Sequence, residues 1–449
     1  MHGTELLVQR DTSIPTYVYW QSDFEMDGLN DNVSSYLKNP LPVFYSSLPS
    51  HDETDQKVEK SFRADQVAKI RAAVAELLVF GFSGTSMNHH ARRLITMGAG
   101  GVILFNRNFK DPEQVARLCA DLKREAGNRP LLIMVDQEGG YVQRFGPPFT
   151  VIPHARIVGD TSDPEAAGAI ASVIAKELRA VNVDMNLAPV LDVDTNPENT
   201  VIGKRSFATT PARVANLGFA YIRGLQCEGV AACAKHYPGH GDTTLDSHVD
   251  LPLLPHSLTR LVEIEMSPFA KAVDADVAAV MVAHIDVPCF SGRTESARKP
   301  ATMCVDTIAY LRDALLFEGV IISDCMETGA IVKEHRIEEA AVQAVLAGID
   351  MVLVSHTLSR QIAVVDALVQ AVLTERIPYR RVMDAVSRIF TLKQTYVRSS
   401  FQDWIEKGLR EFEIQQIGCK EHHDIVANIV YQSAAIRGEA TTIPRRKRR

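Results

Sequence analysis

The sequence has no long apolar run and no leader-like start. No stretch approaches the ~20 apolar residues of a membrane-spanning helix, and Met1 to Arg10 lacks the apolar core that follows a basic start in a secretory signal. These absences exclude a membrane partner at the level of sequence. They make the cytosol the expected compartment.

An excess of positive charge is also missing. The chain has 48 Lys and Arg against 55 Asp and Glu, which gives a formal net charge of -7. Nucleic-acid binding needs clustered positive charge, so no nucleic-acid partner is expected for the body of the protein. The exception is the tail Arg445 to Arg449, which is typical of a solvated terminus or of a nuclear localisation signal.

Cysteine is sparse. The seven cysteines are an odd number, and several lie inside apolar runs, where a thiol behaves as a small hydrophobe. A disulfide framework is therefore not expected.

Eight short apolar runs alternate with longer amphipathic stretches. The runs are residues 77–82, 101–105, 131–136, 183–190, 230–235, 277–284, 319–324 and 349–355. Continuously apolar strands between helices indicate a parallel sheet that is covered on both faces, and eight is the number at which such a sheet closes. The predicted fold is an α/β (β/α)8 TIM-type barrel, with an open doubly wound sheet as the alternative.

Composition divides the chain into three parts. Residues 1–62 are rich in Ser, Asp, Asn and Pro and predict an irregular N-terminal extension. Residues 63–398 contain the eight runs and form the predicted barrel. Residues 399–449 predict a helix over 420–435 and then the basic tail.

The most polar loop follows the fifth run. Residues 235–248 read Lys-His-Tyr-Pro-Gly-His-Gly-Asp-Thr-Thr-Leu-Asp-Ser-His, with one lysine, three histidines and two aspartates. His236, His240 and His248 could be zinc ligands, but Pro238 and Gly239 exclude the single helical face that such spacing usually exploits. A purely structural polar loop is the other alternative.

Polar motifs follow other runs as well. They are residues 136–145, 192–199, 202–207 and 323–327. An aspartate at a strand end can simply cap the next helix. Because the carboxyl ends of barrel strands meet at one face, the motifs together predict a pocket there.

The loop resembles the signature K-H-F/Y-P-G-H-G-D-T-x-x-D-S-H of glycoside hydrolase family 3, in the branch of bacterial-type β-N-acetylhexosaminidases. The resemblance covers roughly residues 64–398 and includes the other strand-end motifs. It implies that Asp324 is the nucleophile and that His248, paired with Asp246, is the acid/base. It implies sugar-binding roles for Asp136, Arg144, Arg205, Lys235 and His236.

The chain departs from that pattern in three respects. Tyr141 stands where the family commonly has Arg, and Cys325 stands where many members have Asp or Ala. Both positions are expected to affect recognition beyond the first sugar. The second, sandwich domain of two-domain relatives is expected to be absent.

The resemblance implies a retaining exo-β-N-acetylglucosaminidase. Its substrate would be terminal β-linked N-acetylhexosamine of cell-wall or chitin-type oligosaccharides or glycoconjugates, and the chemistry would need no metal or cofactor. A β-glucosidase is one alternative, although glucosidase relatives generally lack the Gly-Asp-Thr-x-x-Asp-Ser-His segment. A phosphorylase and a catalytically silent sugar-binding or scaffold protein are the others. The sequence gives no indication of oligomeric state.

Overall fold

A computed structural model describes residues 53–247, 249–291, 298–398 and 414–439, with side chains from residue 64 onward. Of the predicted catalytic and sugar-binding residues, His248 alone lies outside these ranges.

Eight parallel strands form one buried sheet. They are β1 Leu78–Phe80, β2 Gly101–Leu104, β3 Leu132–Val135, β6 Met185–Asn186, β7 Ala231–Tyr237, β8 Ala279–Val282, β9 Val320–Ser323 and β10 Val352–Val354. Each lies inside or across one of the eight predicted runs. Two further strands, β4 Gln137–Gly139 and β5 Val142–Gln143, pair antiparallel as a hairpin after β3.

The sheet closes on itself. Its strand order is β10-β1-β2-β3-β6-β7-β8-β9, and a parallel bridge between Ile322 and Met351 joins the two edges. The predicted TIM-type barrel is therefore confirmed, and the open sheet is excluded. The strand residues are buried because the strands face side chains of the barrel interior on one side and helices on the other.

Helices surround the barrel. They are α1 Glu53–Ala75, α2 His89–Met97, α3 Pro112–Ala126, α4 Ala155–Thr161, α5 Pro164–Ala180, α6 Pro211–Cys227, α7 Leu258–Glu263, α8 Ser267–Asp274, α9 Pro288–Ser291, α10 Val305–Ala309, α11 Gly329–Val332, α12 Ile337–Ala347, α13 Leu358–Leu373, α14 Tyr379–Tyr396 and α15 Lys420–Ile436. Short 3-10 turns lie at Asn106–Asn108, Gly203–Arg205 and Ala301–Met303, and a π-helical turn, Tyr310–Ala314, follows α10.

Local sequence explains where the long helices begin. The side chain of Asp111 accepts the backbone N–H of Gln114 at the start of α3, and Asp163 accepts the N–H of Glu165 at the start of α5. A proline follows each of these aspartates, and another opens α6 after Thr210. Proline is suited to a first helical position, where no N–H partner exists.

Helix α1 is regular structure inside part of the predicted N-terminal extension. It begins at Glu53, inside the segment for which the sequence predicts irregular structure. The segment 53–75 is rich in Ala, Glu, Lys, Gln and Arg, which favour helix, but its first residues lack the apolar period that marks an amphipathic helix. The boundaries at residues 62 and 398 stay predictions.

Helix α15 confirms the predicted C-terminal helix and packs against the barrel. His422 Nδ1 lies 2.8 Å from the buried carboxylate of Glu177 in α5. The same carboxylate accepts the N–H of Gly418 at 2.9 Å and that of Thr150 at 2.9 Å. These contacts attach α15 to α5 and to the segment after the β4–β5 hairpin. Residues 399–413 and the basic tail lie outside the described residues.

All seven cysteines lie in the described ranges as free thiols. Within the described ranges, none of the helices combines the length and the apolar character that crossing a bilayer requires. The cytosolic location stays a prediction.

A buried ion cluster lies at the end of the barrel from which strand β10 begins. Asp350 is fully buried and accepts hydrogen bonds from Arg312 at 2.5 Å, Arg381 at 3.0 Å and Arg388 at 3.2 Å. It also accepts the N–H of Ile321 at the start of β9 at 3.0 Å. One carboxylate therefore ties three guanidinium groups to the edge where the barrel closes.

We expect Asp350→Asn to lower the free energy of unfolding by about 3–5 kcal/mol, because it removes a fully buried carboxylate and leaves three partly buried guanidinium groups without their counter-charge. Urea unfolding followed by fluorescence measures the change. Asp366→Asn is the matched control, since its pair with Arg71 is largely exposed and should contribute about 0–1 kcal/mol. Equal losses in the two variants would contradict the assignment.

Candidate active site

A pocket opens at the carboxyl ends of the strands. Its volume is about 280 Å³. Six predicted site residues line it: Asp136, Arg144, Arg205, Lys235, His236 and Asp324. The strands of a parallel barrel bring residues that are far apart in sequence to this face.

Lys235 lies at the centre of the charged groups. It comes from the last part of β7, and its Nζ lies 2.6 Å from Asp136 Oδ1 and 2.7 Å from Glu138 Oε1. The lysine is 2% exposed. Burial alone would lower the pKa of Lys235, but the two carboxylates outweigh burial and raise it. Lys235 is therefore a fixed cation.

Glu138 orients Arg205 from the other side. Arg205 Nε and Nη2 donate to the two carboxylate oxygens of Glu138 at 2.9 Å and 2.8 Å, a bidentate geometry. Burial opposes ionisation of Glu138, but Lys235 and Arg205 outweigh it and hold the pKa of this carboxyl well below its usual range.

Arg144 completes this side of the pocket. Its guanidinium lies 3.7 Å from Asp136 Oδ2. It also lies over the ring of Phe105, at 5.6 Å from the centroid, and the buried Nε has no partner among the described residues. The group can therefore take a further acceptor from a bound molecule.

Asp192 holds the two histidines of the loop after β7. Its Oδ2 lies 2.7 Å from His236 Nδ1, and its Oδ1 accepts the backbone N–H of His240 at 2.7 Å. Burial opposes ionisation of Asp192, but the histidines and their hydrogen bonds outweigh it and lower its pKa. This carboxylate fixes the orientation of the His236 ring.

Asp324 directly follows strand β9. Its backbone N–H donates to the carbonyl of Val282 at 3.0 Å, and its Oδ1 accepts the N–H of Cys325 at 2.6 Å. The hydroxyl oxygen of Ser323 accepts the N–H of Leu353 at 3.0 Å. The strand end and these hydrogen bonds place the carboxylate in the pocket with a defined orientation.

The predicted acid/base segment lies beside the pocket. Ser247 lines the pocket, and its carbonyl accepts the N–H of Ala330 at 3.0 Å. Asp246 is not a lining residue, but its carbonyl accepts the N–H groups of Val249 and Asp250 in a turn. His248 lies outside the described residues, so its pairing with Asp246 stays a prediction.

The sequence argument did not single out Glu138 and Asp192 as site residues. A signal for Glu138 exists, because side chains two residues apart in an extended chain point the same way, and Asp136 was predicted to bind sugar. The role of Asp192 depends on contacts with residues 44 and 48 positions later. No local pattern reports such contacts.

Two groups of side chains bring possible metal donors together: Asp242, His256 and Glu265, and Cys325, Glu327 and His356. Arg260 already donates to Asp242 at 2.9 Å, and Arg360 lies 3.5 Å from Glu327. Burial raises the pKa of the Cys325 thiol to about 11, so it is protonated. Neither donor set favours a cation, and the absence of a metal from the chemistry stays a prediction.

The geometry is suited to holding a polyhydroxylated molecule against a carboxylate. Fixed guanidinium, ammonium and carboxylate groups can donate to and accept from vicinal hydroxyls. The oriented carboxylate of Asp324 lies in the same pocket, and a carboxylate is a group that can act as an oxygen nucleophile.

Comparison with known proteins agrees with this geometry. The family model described as "Glycosyl hydrolase family 3 N terminal domain" matches residues 69–392. A beta-hexosaminidase of Thiobacillus denitrificans is 40% identical over 289 residues, which cover 62% of this chain and 78% of the relative.

Solved structures give the same result. A family 3 beta-N-acetylglucosaminidase from Paenibacillus sp. is 41% identical with a TM-score of 0.74, and the match covers 81% of this chain and 68% of that one. A Neisseria gonorrhoeae protein solved with N-trifluoroacetyl-D-glucosamine is 30% identical with a TM-score of 0.64, and the match covers 80% and 98%.

The depressed pKa of Glu138 predicts a pH-dependent contribution to stability. The ionised carboxylate adds stability at pH values above the unfolded pKa of roughly 4.3, and this contribution is lost as pH falls through the lower folded-state value. We expect Glu138→Gln to reduce the free energy of unfolding by on the order of 3 kcal/mol at about pH 7.

That difference between the variant and the wild type should shrink between about pH 5 and pH 3.5, because the unfolded wild type takes up a proton at Glu138 over this range while the folded protein keeps the carboxylate ionised. Urea unfolding at both ends of this range provides the measurement. A difference that is constant with pH would show that Glu138 acts by its shape and not by its charge.

Proposed function

The chain belongs to glycoside hydrolase family 3, and from this premise we propose that it is a retaining exo-acting β-N-acetylglucosaminidase. It is a glycoside hydrolase, and its substrates are carbohydrates. The sugar removed is a terminal β-linked N-acetylglucosamine of a cell-wall or chitin-type oligosaccharide or of a glycoconjugate.

One observation carries the proposal. The Asp324 carboxylate shares a single pocket of about 280 Å³ with a set of buried and partly buried charged and polar groups that can bind hydroxyls. A pocket of this size suits one terminal sugar with its leaving group toward solvent. The names of the beta-hexosaminidase and beta-N-acetylglucosaminidase relatives support N-acetylglucosamine as that sugar.

In the proposed mechanism, Lys235, Arg205, Arg144, Asp136 and His236 hold the sugar hydroxyls. The pairing of the cations with Asp136 and Glu138 fixes their positions before substrate arrives, so little reorganisation is needed in the transition state. Asp324 then attacks the anomeric carbon, and the bond to the leaving oxygen breaks. The product of this step is a covalent glycosyl-enzyme.

We assign the proton transfers to His248. Its imidazolium gives a proton to the leaving oxygen, and the neutral ring then takes one from the water that hydrolyses the glycosyl-enzyme. Histidine titrates near neutrality, so it can act in both directions. Asp246 would hold the ring and stabilise the imidazolium. The position of Ser247 in the pocket lining supports this assignment.

We expect the wild type to release nitrophenol from nitrophenyl N-acetyl-β-glucosaminide, and Asp324→Gly to abolish the release, because it removes the nucleophile from a strand end. Azide should partly restore turnover of the variant and give a product of inverted configuration. Absorbance measures the rate, NMR identifies the anomer, and circular dichroism verifies the fold.

Substantial activity of Asp324→Gly without azide would show that Asp324 is not the nucleophile. A comparison of turnover with and without inorganic phosphate tests the reaction class. A requirement for phosphate with release of a sugar 1-phosphate would identify a phosphorylase. No turnover of any nitrophenyl β-glycoside by folded wild type would favour a silent sugar-binding protein.

We expect His248→Ala to lose about 10²- to 10⁴-fold in turnover of substrates with poor leaving groups. An activated nitrophenyl leaving group needs little protonation, so with it the variant should form the glycosyl-enzyme quickly and accumulate it on Asp324. Burst kinetics and mass spectrometry measure this accumulation. Asp246→Asn should show a weaker form of the same dependence, because the imidazole is present but poorly oriented.

Equal losses for good and poor leaving groups, together with an unchanged pH profile, would remove His248 from the mechanism.

A further inference from the structure

His240 has one polar side-chain atom that contacts no polar group of the described residues. Its backbone N–H donates to Asp192 Oδ1 at 2.7 Å, and its carbonyl accepts from Asn199 Nδ2 at 2.8 Å. Its Nδ1 lies 2.6 Å from the hydroxyl of Thr243. The remaining nitrogen, Nε2, is buried and has no hydrogen-bond partner among the residues that the structure describes. His240 itself is 2% exposed and lines the pocket.

The backbone on both sides of His240 is fixed. A Cβ at Gly241 would lie 1.8 Å from the carbonyl oxygen of Val193, so the chain passes in direct contact with that segment. Gly239 has a φ of +134°, and a Cβ there would lie 2.7 Å from the Cβ of Glu265. The ring therefore has little freedom to turn Nε2 toward another partner within the protein.

A buried nitrogen without a partner is costly. Mutational series place the cost of one such group at about 1–3 kcal/mol, and native proteins satisfy nearly all of them. A bound molecule that reaches Nε2 removes this cost. The same molecule would occupy the pocket between His240 and Asp324.

The protonation of His240 indicates the kind of group that binds. Burial lowers the pKa of His240, so the ring is neutral at physiological pH. If Nδ1 carries the proton, it donates to the Thr243 hydroxyl and Nε2 is an acceptor. If Nε2 carries the proton, the Thr243 hydroxyl donates to Nδ1 and Nε2 is a donor. A sugar hydroxyl can serve as either partner. A carboxylate or phosphate would instead favour a charged ring.

We propose that His240 Nε2 forms a hydrogen bond with a hydroxyl of the sugar in the pocket, and that His240 is a specificity-determining residue. The inference rests on the proposed function. Asp192 contacts both His240 and His236, and the ring centroids of the two histidines lie 6.1 Å apart. The two imidazoles therefore act from the same loop. Lys235, Arg205 and Asp136 hold other hydroxyls of the same sugar.

A pair of amide substitutions separates the two ring nitrogens. The glutamine amide in His240→Gln reaches about as far as Nε2, whereas the asparagine amide in His240→Asn reaches only as far as Nδ1. If Nε2 binds the sugar, His240→Asn should lose about 10- to 100-fold in kcat/KM, and His240→Gln should keep most of it. The pH profile should keep its shape in both variants, because the ring is neutral in the wild type.

Deoxy substrates identify the hydroxyl. We would compare nitrophenyl N-acetyl-β-glucosaminides that lack the hydroxyl at C3, C4 or C6. For one of the three, His240→Asn should cause no further loss, because the partner of Nε2 is already missing. For the other two, the losses from the substitution and from the missing hydroxyl should add.

Two results would overturn the proposal. One is the reverse order, with His240→Asn active and His240→Gln impaired, which would assign the role to the Nδ1–Thr243 contact. The other is additive loss with all three deoxy substrates. If the wild type hydrolyses a different β-glycoside, the proposed function fails, but the glutamine and asparagine variants can be compared on that glycoside.

Discussion

The site depends on one buried ammonium group. Lys235 contacts both Asp136 and Glu138, and without it two buried carboxylates would lie close together with less compensating charge. Like charges at short range in a poorly solvated place favour protonation of one of them. Lys235 favours the ionised form of Glu138, and Glu138 can then orient Arg205 in a bidentate pair. The geometry of the charged groups in the pocket follows from this compensation of charge.

The barrel makes that arrangement possible. Lys235 belongs to β7, Asp136 and Glu138 follow β3, and Arg205 lies in a turn between β6 and β7. These strands are neighbours in the sheet. Their register therefore sets the distances between the charges, and the buried pairs around Asp350 stabilise the opposite end of the same sheet. The two ends have different roles, as is usual for this fold.

Much of the fold and of the candidate site could be predicted from the sequence. The apolar runs predicted all eight strands, because strands buried on both faces are apolar without interruption. The residues Asp136, Arg144, Arg205, Lys235, His236 and Asp324 do come together. Glu138, Asp192 and the Nε2 of His240 were not found, because their significance comes from partners that are distant in sequence. The start of α1 was not predicted for another reason. Its residues favour helix one by one, but they lack the apolar periodicity by which an amphipathic helix is recognised in a sequence.

The burial of Lys235 also bears on how the protein should respond to ionic strength. Mobile ions weaken pairs that water reaches, such as the exposed pair of Lys420 and Asp424 on α15. They have little access to an ammonium that is 2% exposed and enclosed by two carboxylates. The ion pairs of Lys235 should therefore respond little to the salt concentration, whereas exposed pairs on the outer helices should weaken as it rises.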